Sequence, residues 1–388
     1  MLFGFGSSIK SQVRRGMMAK VAILGTRGIP ARYGGFETFA DRLAIGLTEH
    51  GYDVTVYCEE EKIPGIENYR GVKLRYISSL SLGPLQTILY DLLCLWDARR
   101  RFDVVYMLGY GAAPFCLIPR LWGTEVWINP DGLEWARAKW GSFAKLYFRI
   151  MERCALVLAN RIVADAEAIQ SSLVDRHGAI PSCTVIPYGC EVIGTPPPID
   201  LLLEWNLTPD SYSLVVCRLE PENHVMEILE AYRRSDSKRQ LIVVGNDSAE
   251  TEYVHQLNEV KDSRIRMIGT VYDQAKLSCL RYHCYAYYHG HSVGGTNPSL
   301  LEAMGCGNLI IAHDNPFNRE TLGSCGLFFT DTEKLVQMVN LIEWAEYLRS
   351  RLRPEARLRA RACYYWPDII SRYVDLLEQT AAEDNKVK

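Results

Sequence analysis

The stretch HGHSVGGTNPSLLEAMGCGNLIIA, residues 289–312, decides the fold. Tyr285 to Tyr288, just before it, reads as the end of a buried strand. Gly294 and Gly295 make a turn, Thr296 and Asn297 supply polar groups, and Pro298 opens a helix. Proline suits that position because its missing N–H would find no intrahelical partner there. Ser299 to Met304 is good helix material, Gly305 and Gly307 stop it, and Leu309 to Ala312 reads as the next buried strand. Strand, glycine turn, helix N-terminus and strand together make an element suited to a phosphate, since free N–H groups and the helix dipole both favour an anion. Glu302 lies about one turn into that helix, where its carboxylate can accept hydrogen bonds from vicinal hydroxyls such as those of a ribose.

At 388 residues the chain has room for two ordinary domains, and its 48% hydrophobic content supports substantial cores. A formal net charge of −3 argues against a general nucleic-acid binder. The 12 cysteines are scattered through apolar runs without CxxC or Cys/His spacing, which reads as buried thiols in a reducing cytosol. Residues 1–18 carry Arg14 and Arg15 but no sustained apolar core, so they read as an N-terminal extension with Met17 or Met18 as possible starts. No run approaches the roughly 20 apolar residues of a membrane span.

Outward from the central stretch, Val21 to Leu24 is a short apolar run entering the turn Gly25-Thr26-Arg27-Gly28. The loop continues to Gly34 and Gly35, and Phe36 to His50 then carries a helical period through Phe39, Leu43 and Leu47. Asp53 to Tyr57 is a second strand, which completes a β-α-β opening. Its glycine loop matches neither the dinucleotide fingerprint nor the P-loop. Further strands are predicted at 72–77, 103–107, 125–129, 156–158 and 161–163. Asp131, in Asn129-Pro130-Asp131-Gly132, falls at a strand's carboxyl end on the same rim as the first loop. A helix is predicted from Leu133 to Arg153, with Arg137, Lys145, Arg149 and Arg153 as a basic stripe beside Trp140 and Tyr147. Such a helix can lie against anionic lipid, with Arg137, Trp140, Lys145 and Arg149 as the contacts. Gly194 to Pro198 reads as a stiff linker. A second α/β series begins at Leu214 to Cys217 and leads into Arg218. The last stretch repeats apolar residues at 366, 369, 370, 373, 374 and 377, a helix whose partners lie elsewhere.

Taken together, GTRGIPARYGGFET (25–38), NPDGLEW (129–135), RLEPEN (218–223) and HGHSVGGTNPSLLEAM (289–304) resemble the GT-B glycosyltransferases of family 4. They are most similar to bacterial dTDP-rhamnose-dependent rhamnosyltransferases of capsule and O-antigen synthesis. The resemblance implies an α/β, GT-B fold: two Rossmann-like domains facing across a cleft. The expected division is an extension at 1–18, an acceptor domain at 19–193 completed by a helix at 364–388, a linker at 194–210 and a donor domain at 211–363. It also implies a retaining transfer of L-rhamnose from dTDP-L-rhamnose to a lipid-diphosphate-linked saccharide at the cytoplasmic face of the membrane, with no metal, cofactor or nucleic acid. Donor contacts are expected from Gly34, Gly35, Arg218, Asn223, His291, Gly295, Thr296, Asn297 and Glu302, and acceptor contacts from Glu37 and Asp131. Arg218 would neutralise the diphosphate, and Asp131 would orient or deprotonate the acceptor hydroxyl.

Two positions depart from the family pattern. Its lysine after the arginine is Asn223, and the first glutamate of its E-x7-E motif is Gly294. One charge of each sign is missing near the sugar–diphosphate site, which points to a sugar contacted differently from glucose, such as a 6-deoxy-L-sugar. A nucleotide-sugar epimerase, or a non-catalytic nucleotide-sugar-binding protein on the same scaffold, is the alternative.

Overall fold

The computed structural model describes residues 19–31, 34–60, 65–78, 83–130, 132–137, 140–180, 182–246 and 250–387. The N-terminal extension and Asp131 lie outside these residues. Short, fully apolar runs such as Val104–Leu108 become strands buried on both faces, as a parallel sheet covered by helices requires. The first sheet contains β1 (Lys20–Leu24), β2 (Asp53–Glu59), β3 (Asn68–Tyr69), β4 (Val72–Ile77), β5 (Val104–Leu108), β6 (Glu125–Asn129), β7 (Arg161–Ala164) and β8 (Cys183–Val185). Its order is β3-β4-β2-β1-β5-β6-β7-β8, parallel except for the β3–β4 pair. The second contains β9 (Tyr212–Val216), β10 (Gln240–Val244), β11 (Ile265–Met267), β12 (Tyr287–His289), β13 (Ile310–His313) and β14 (Leu327–Phe329), in the order β11-β10-β9-β12-β13-β14.

Around the first sheet lie α1 (Gly35–Glu49), α2 (Gln86–Ala98), α3 (Leu117–Leu121), α4 (Ser142–Leu158) and α5 (Glu167–His177). Around the second lie α6 (Val225–Arg234), α7 (Glu252–Glu259), α8 (Gln274–His283), α9 (Pro298–Cys306), α10 (Pro316–Leu322), α11 (Thr332–Trp344) and α12 (Glu346–Cys363). The last helix, α13 (Trp366–Val387), returns to the first sheet and packs on α1. Trp366 and Tyr373 join Phe39, Tyr106 and Tyr188 in one aromatic cluster, with Phe39 and Tyr188 ring centroids 4.7 Å apart. The crossover is anchored by Cys190 N–H donating to the Tyr364 carbonyl at 2.7 Å.

Strand order in each sheet reverses once, between β1 and β5 in the first and between β9 and β12 in the second. Ligands of open α/β sheets bind outside the strand carboxyl ends at such switch points. The loops that follow β1, β5, β9 and β12 border the space between the two sheets.

Two local expectations fail. Residues 156–158 are not a strand but the last turn of α4. Leu156, Val157 and Leu158 form a run short enough to suit either structure, and continuity with the preceding helix decides it. The helix predicted over 133–153 is in fact a 3-10 turn, Glu134–Ala136, followed by α4 from Ser142. Glu152 of α4 holds that turn in place: it is buried, accepts from Trp135 Nε1, and pairs with Arg176 at 2.9 Å and His177 at 2.6 Å. The stretch 194–210 is partly helical, with a 3-10 segment at Ile199–Trp205.

Candidate active site in the interdomain cleft

A cleft of about 780 Å³ separates the two sheets and is lined from both sides. Two helix N-termini meet in it. Gly35 at the start of α1 lies so near Pro298 at the start of α9 that a Cβ on Gly35 would touch the proline ring at 3.5 Å. Both dipoles therefore direct positive potential to one place. Arg218, just after β9, adds a part-exposed guanidinium there, its nearest anion being Glu220 at 3.5 Å. The positive ends and the arginine give this part of the cleft a positive potential suited to an anion.

Glu302 lines the cleft from α9, as the sequence suggests, but it is tied to a residue that sequence inspection misses. Arg281 of α8 is buried and pairs with Glu302 Oε2 at 2.7 Å, and also reaches Ser299 Oγ at 3.2 Å. The glutamate is thus fixed by the ion pair, with part of its side chain still exposed. An arginine between Leu280 and Tyr282 gives no sign in the sequence of its partner in another helix.

Asn223 is braced on both sides: its Nδ2 donates to the Arg218 carbonyl at 2.7 Å, and its Oδ1 faces His291 Nδ1 at 2.8 Å. With Nδ2 as the donor, the His291 tautomer carries its proton on Nδ1. Burial, then His289, Arg137 and Arg218, hold the His291 ring well below its usual pKa. It is therefore a neutral ring that offers Nε2 as an acceptor, suited to a hydroxyl rather than to a phosphate. Asn223 positions Arg218 and His291 where the family pattern has a lysine.

The helix start at 296–297 works differently from expectation. Thr296 N–H donates to Asp165 Oδ2 at 2.8 Å, and its hydroxyl donates to the Asp165 carbonyl. Asn297 Oδ1 caps the helix by accepting from Ser299 N–H at 3.0 Å. The Thr296 N–H is therefore not available to a phosphate, which leaves Arg218 and the helix dipoles as the positive groups of the cleft. Asp165 follows β7, so this is a bridge between the domains. It explains Gly295, where a Cβ would sit 2.2 Å from Asp165 Oδ1. Its only sequence signal is a carboxylate directly after a strand.

Gly294 also has a physical reason. Its φ is +136°, and a Cβ on Gly132 of the first domain would lie 2.6 Å from the Gly294 Cα. Two glycine backbones meet across the cleft, and at Gly294 itself the positive φ, with His291 Nε2 3.0 Å from where a Cβ would sit, disfavours the family's glutamate.

Arg137 corrects the expectation of a lipid contact. It is buried, ion-paired to Glu134 Oε2 at 2.5 Å, and 3.9 Å from the buried Glu222 of the second domain. It lines the cleft as a cross-domain residue. Trp140 is also drawn inward, its Nε1 donating to Glu134 Oε1 at 2.9 Å. Lys145 and Arg149 remain on α4, with the Arg149 guanidinium 4.8 Å from the Trp135 ring. Beside them α4 presents Phe143, Leu146, Ile150 and Val157 to solvent, with Phe143 91% exposed. Gly34 and Glu37 shape the opposite wall. Glu37 Oε1 accepts from Arg27 N–H at 3.1 Å and from Thr26 Oγ at 3.3 Å, which holds the loop after β1 in place.

Among solved structures, the chain is similar to sucrose-phosphate synthase from Thermosynechococcus elongatus, with a TM-score of 0.80 at 16% identity over 94% of this chain and 100% of that one. Anabaena HepE in complex with UDP-glucose matches with a TM-score of 0.75 at 15% identity, over 93% and 100%. An E. coli structure described as trehalose-6-phosphate bound with UDP-2-fluoro glucose matches with a TM-score of 0.70 at 12% identity, over 93% and 99%. The fold is GT-B. Residues 205–359, which make up most of the second GT-B domain, match the family model of the glycosyl transferases group 1. Residues 18–191 match a domain of unknown function (DUF1972). No curated protein matches the chain.

Proposed function

We propose that the protein is a retaining glycosyltransferase that moves L-rhamnose from dTDP-L-rhamnose to a lipid-diphosphate-linked saccharide. The observation that carries this reading is the convergence of Arg218, the α1 and α9 N-termini and the Arg281-held Glu302 in one cleft. It offers positive potential to a diphosphate and a fixed carboxylate to a ribose. UDP-glucose and UDP-2-fluoro glucose are named in complexes of the similar GT-B structures.

In this mechanism the sugar–phosphate bond breaks as charge develops on the diphosphate, where Arg218 and the helix ends stabilise it. The acceptor oxygen bonds to the anomeric carbon on the same face, and its proton passes to the leaving phosphate oxygen. No metal enters this scheme. The neutral His291 and the absence of a carboxylate at 294 suit a sugar held by hydroxyl contacts rather than by charge. The exposed apolar stripe of α4 beside Lys145 and Arg149 suits attachment to an anionic membrane surface, where a lipid-linked acceptor would be found. Among the described residues, no helix is long and apolar enough to cross a membrane.

Incubation with dTDP-rhamnose, UDP-glucose and GDP-mannose, each with and without lipid-diphosphate saccharides, tests the proposal. Acceptor-dependent release of dTDP, far faster than release of UDP or GDP, is the expected result. Preferred turnover of UDP-glucose would overturn the donor assignment, and turnover that needs no acceptor would point to epimerisation or hydrolysis.

A further inference from the structure

A second cavity, of about 380 Å³, lies at the β1/β5 switch point of the first domain and shares Arg137 and Arg218 with the cleft. Asp91 of α2 lines it and is only 5% exposed. Among the described residues, Asp91 makes no hydrogen bond and no ion pair. The cation nearest to it in charge effect, Arg27, is already bound to Glu59 at 2.7 Å and to Thr87 Oγ at 3.2 Å. The other Glu59 oxygen accepts from Gln86 at 2.8 Å. Buried polar groups are almost always satisfied, so an unpartnered carboxyl facing a cavity marks a place where a ligand group belongs. The apolar part of the lining is aromatic, with Phe36, Tyr90, Tyr110 and Phe148. Aromatic faces for C–H groups and an unpaired carboxyl for a hydroxyl are the chemistry of a sugar site. The volume lies within the roughly 300–1,000 Å³ of small-molecule sites.

We propose that this cavity holds the acceptor's terminal sugar, with the Asp91 carboxyl receiving a hydrogen bond from one of its hydroxyls. The inference rests on the glycosyltransferase reading above and adds the acceptor class to it. Two of the arginines that line the cavity are ion-paired, Arg27 with Glu59 and Arg137 with Glu134, and Arg218 is the cation already assigned to the diphosphate. Glu37 and Asp91 add negative potential, so the site fits a neutral sugar such as a hexose, 6-deoxyhexose or N-acetylhexosamine, and disfavours a uronic acid. Burial, only partly offset by Arg27 and reinforced by Glu59, raises the Asp91 pKa to about 7. A carboxyl so placed costs stability as it ionises, which favours its retention for binding rather than for folding.

The test uses the full-length protein and Asp91→Asn and Asp91→Ala variants. Octyl glycosides of glucose, galactose, N-acetylglucosamine, rhamnose and glucuronic acid are titrated in the presence of dTDP, and dTDP and UDP are titrated alone. At least one neutral glycoside should saturate the native protein, bind the variants about 10- to 100-fold more weakly as the loss of a charge-assisted hydrogen bond predicts, and outcompete the glucuronide. Nucleotide affinity should stay within about twofold, since Asp91 lies outside the donor cleft. The variants should unfold at the same or a higher temperature than the native protein. With the folded pKa above the usual carboxylate value, the native protein loses stability as pH rises from about 4 to about 7, so the variants' advantage should grow over that range. Equal glycoside binding in native protein and variants, glucuronide binding as tight as that of the neutral sugars, or no glycoside binding at all would overturn the proposal. Nucleotide binding alongside any of these leaves the donor site standing, whereas loss of both bindings removes the glycosyltransferase reading as well.

Discussion

Glu302 and Arg281 show how one residue's role depends on another. On the proposed reading the carboxylate would contact the ribose equally in the ground state and the transition state, so its loss should act on donor binding rather than on the chemical step. Glu302→Gln should raise the donor KM about 10- to 100-fold with kcat nearly unchanged, because charge-assisted hydrogen bonds are worth roughly 1.5–3 kcal/mol. Glu302→Ala removes the only acid paired with the buried Arg281 among the described residues. Breaking a buried pair costs about 3–5 kcal/mol, so this variant should also unfold at markedly lower denaturant. Steady-state kinetics with separate donor titration, together with urea unfolding, checks both outcomes. A Glu302→Gln enzyme with native donor KM would remove the ribose assignment. Glu302 itself is legible in sequence, because a glycine turn, a helix start and a carboxylate one turn later form a local pattern. Arg281, Asp165 and the cleft-facing Arg137 are not, because each acquires its role from a partner far away along the chain.

At the scale of elements, the return of α13 to the first domain depends on small residues in α1. Gly46 faces Ile370 so closely that a Cβ would sit 2.2 Å from its Cδ1. Gly46→Val should therefore overpack the α1–α13 contact and destabilise the protein by about 1–3 kcal/mol. Gly65→Ala, with nothing within 4 Å of the new methyl, should be close to neutral. Urea unfolding compares the two, and equal midpoints for both variants would mean that α13 adds little to the first domain. The spacing at 366, 369, 370, 373, 374 and 377 is enough to predict a helix with one apolar face. It does not say that the face meets Phe39 and Tyr188, because periodicity identifies a buried side and not its partner. The error at 156–158 has the same origin: three apolar residues suit a strand and a helix end equally well, and the preceding turns of α4 decide.

On the scale of the whole molecule, the two switch points face each other across the cleft, and α4 carries an exposed apolar stripe. Near it, Trp96 of α2 lies under Arg99 at 4.2 Å, and Trp122, next to α3, lies 5.2 Å from Arg100. Arg120 of α3 donates to the carbonyl of Leu158 at 2.9 Å, which places α3 beside the end of α4. Leu121 and Val157, 71% and 73% exposed, extend the apolar surface there. The protein should bind vesicles rich in anionic lipid, more weakly as salt rises. A basic residue near such a surface contributes about 1 kcal/mol, so Lys145→Glu with Arg149→Glu should weaken binding at least about tenfold. Phe143→Ser should weaken it at high salt as well, where only apolar insertion remains. Vesicle sedimentation with native affinity in both variants would make this surface an ordinary solvated one.

What the sequence determined by itself is local: apolar runs of strand length, glycine turns at their carboxyl ends, and helices with one apolar face. These are set by neighbours a few residues apart, and with the motifs at 25–38, 218–223 and 289–304 they suffice for two α/β domains and the cleft edge. The tertiary structure decided which of those polar groups stay available. Thr296 N–H is taken by Asp165, Asn223 is spent on Arg218 and His291, Arg137 turns inward to Glu134, and Asp91 is left buried without a partner among the described residues. The physical reason is that hydrogen bonds and ion pairs act over a few ångströms. Whether a side chain is satisfied or left for a ligand is therefore settled only when distant segments are brought together.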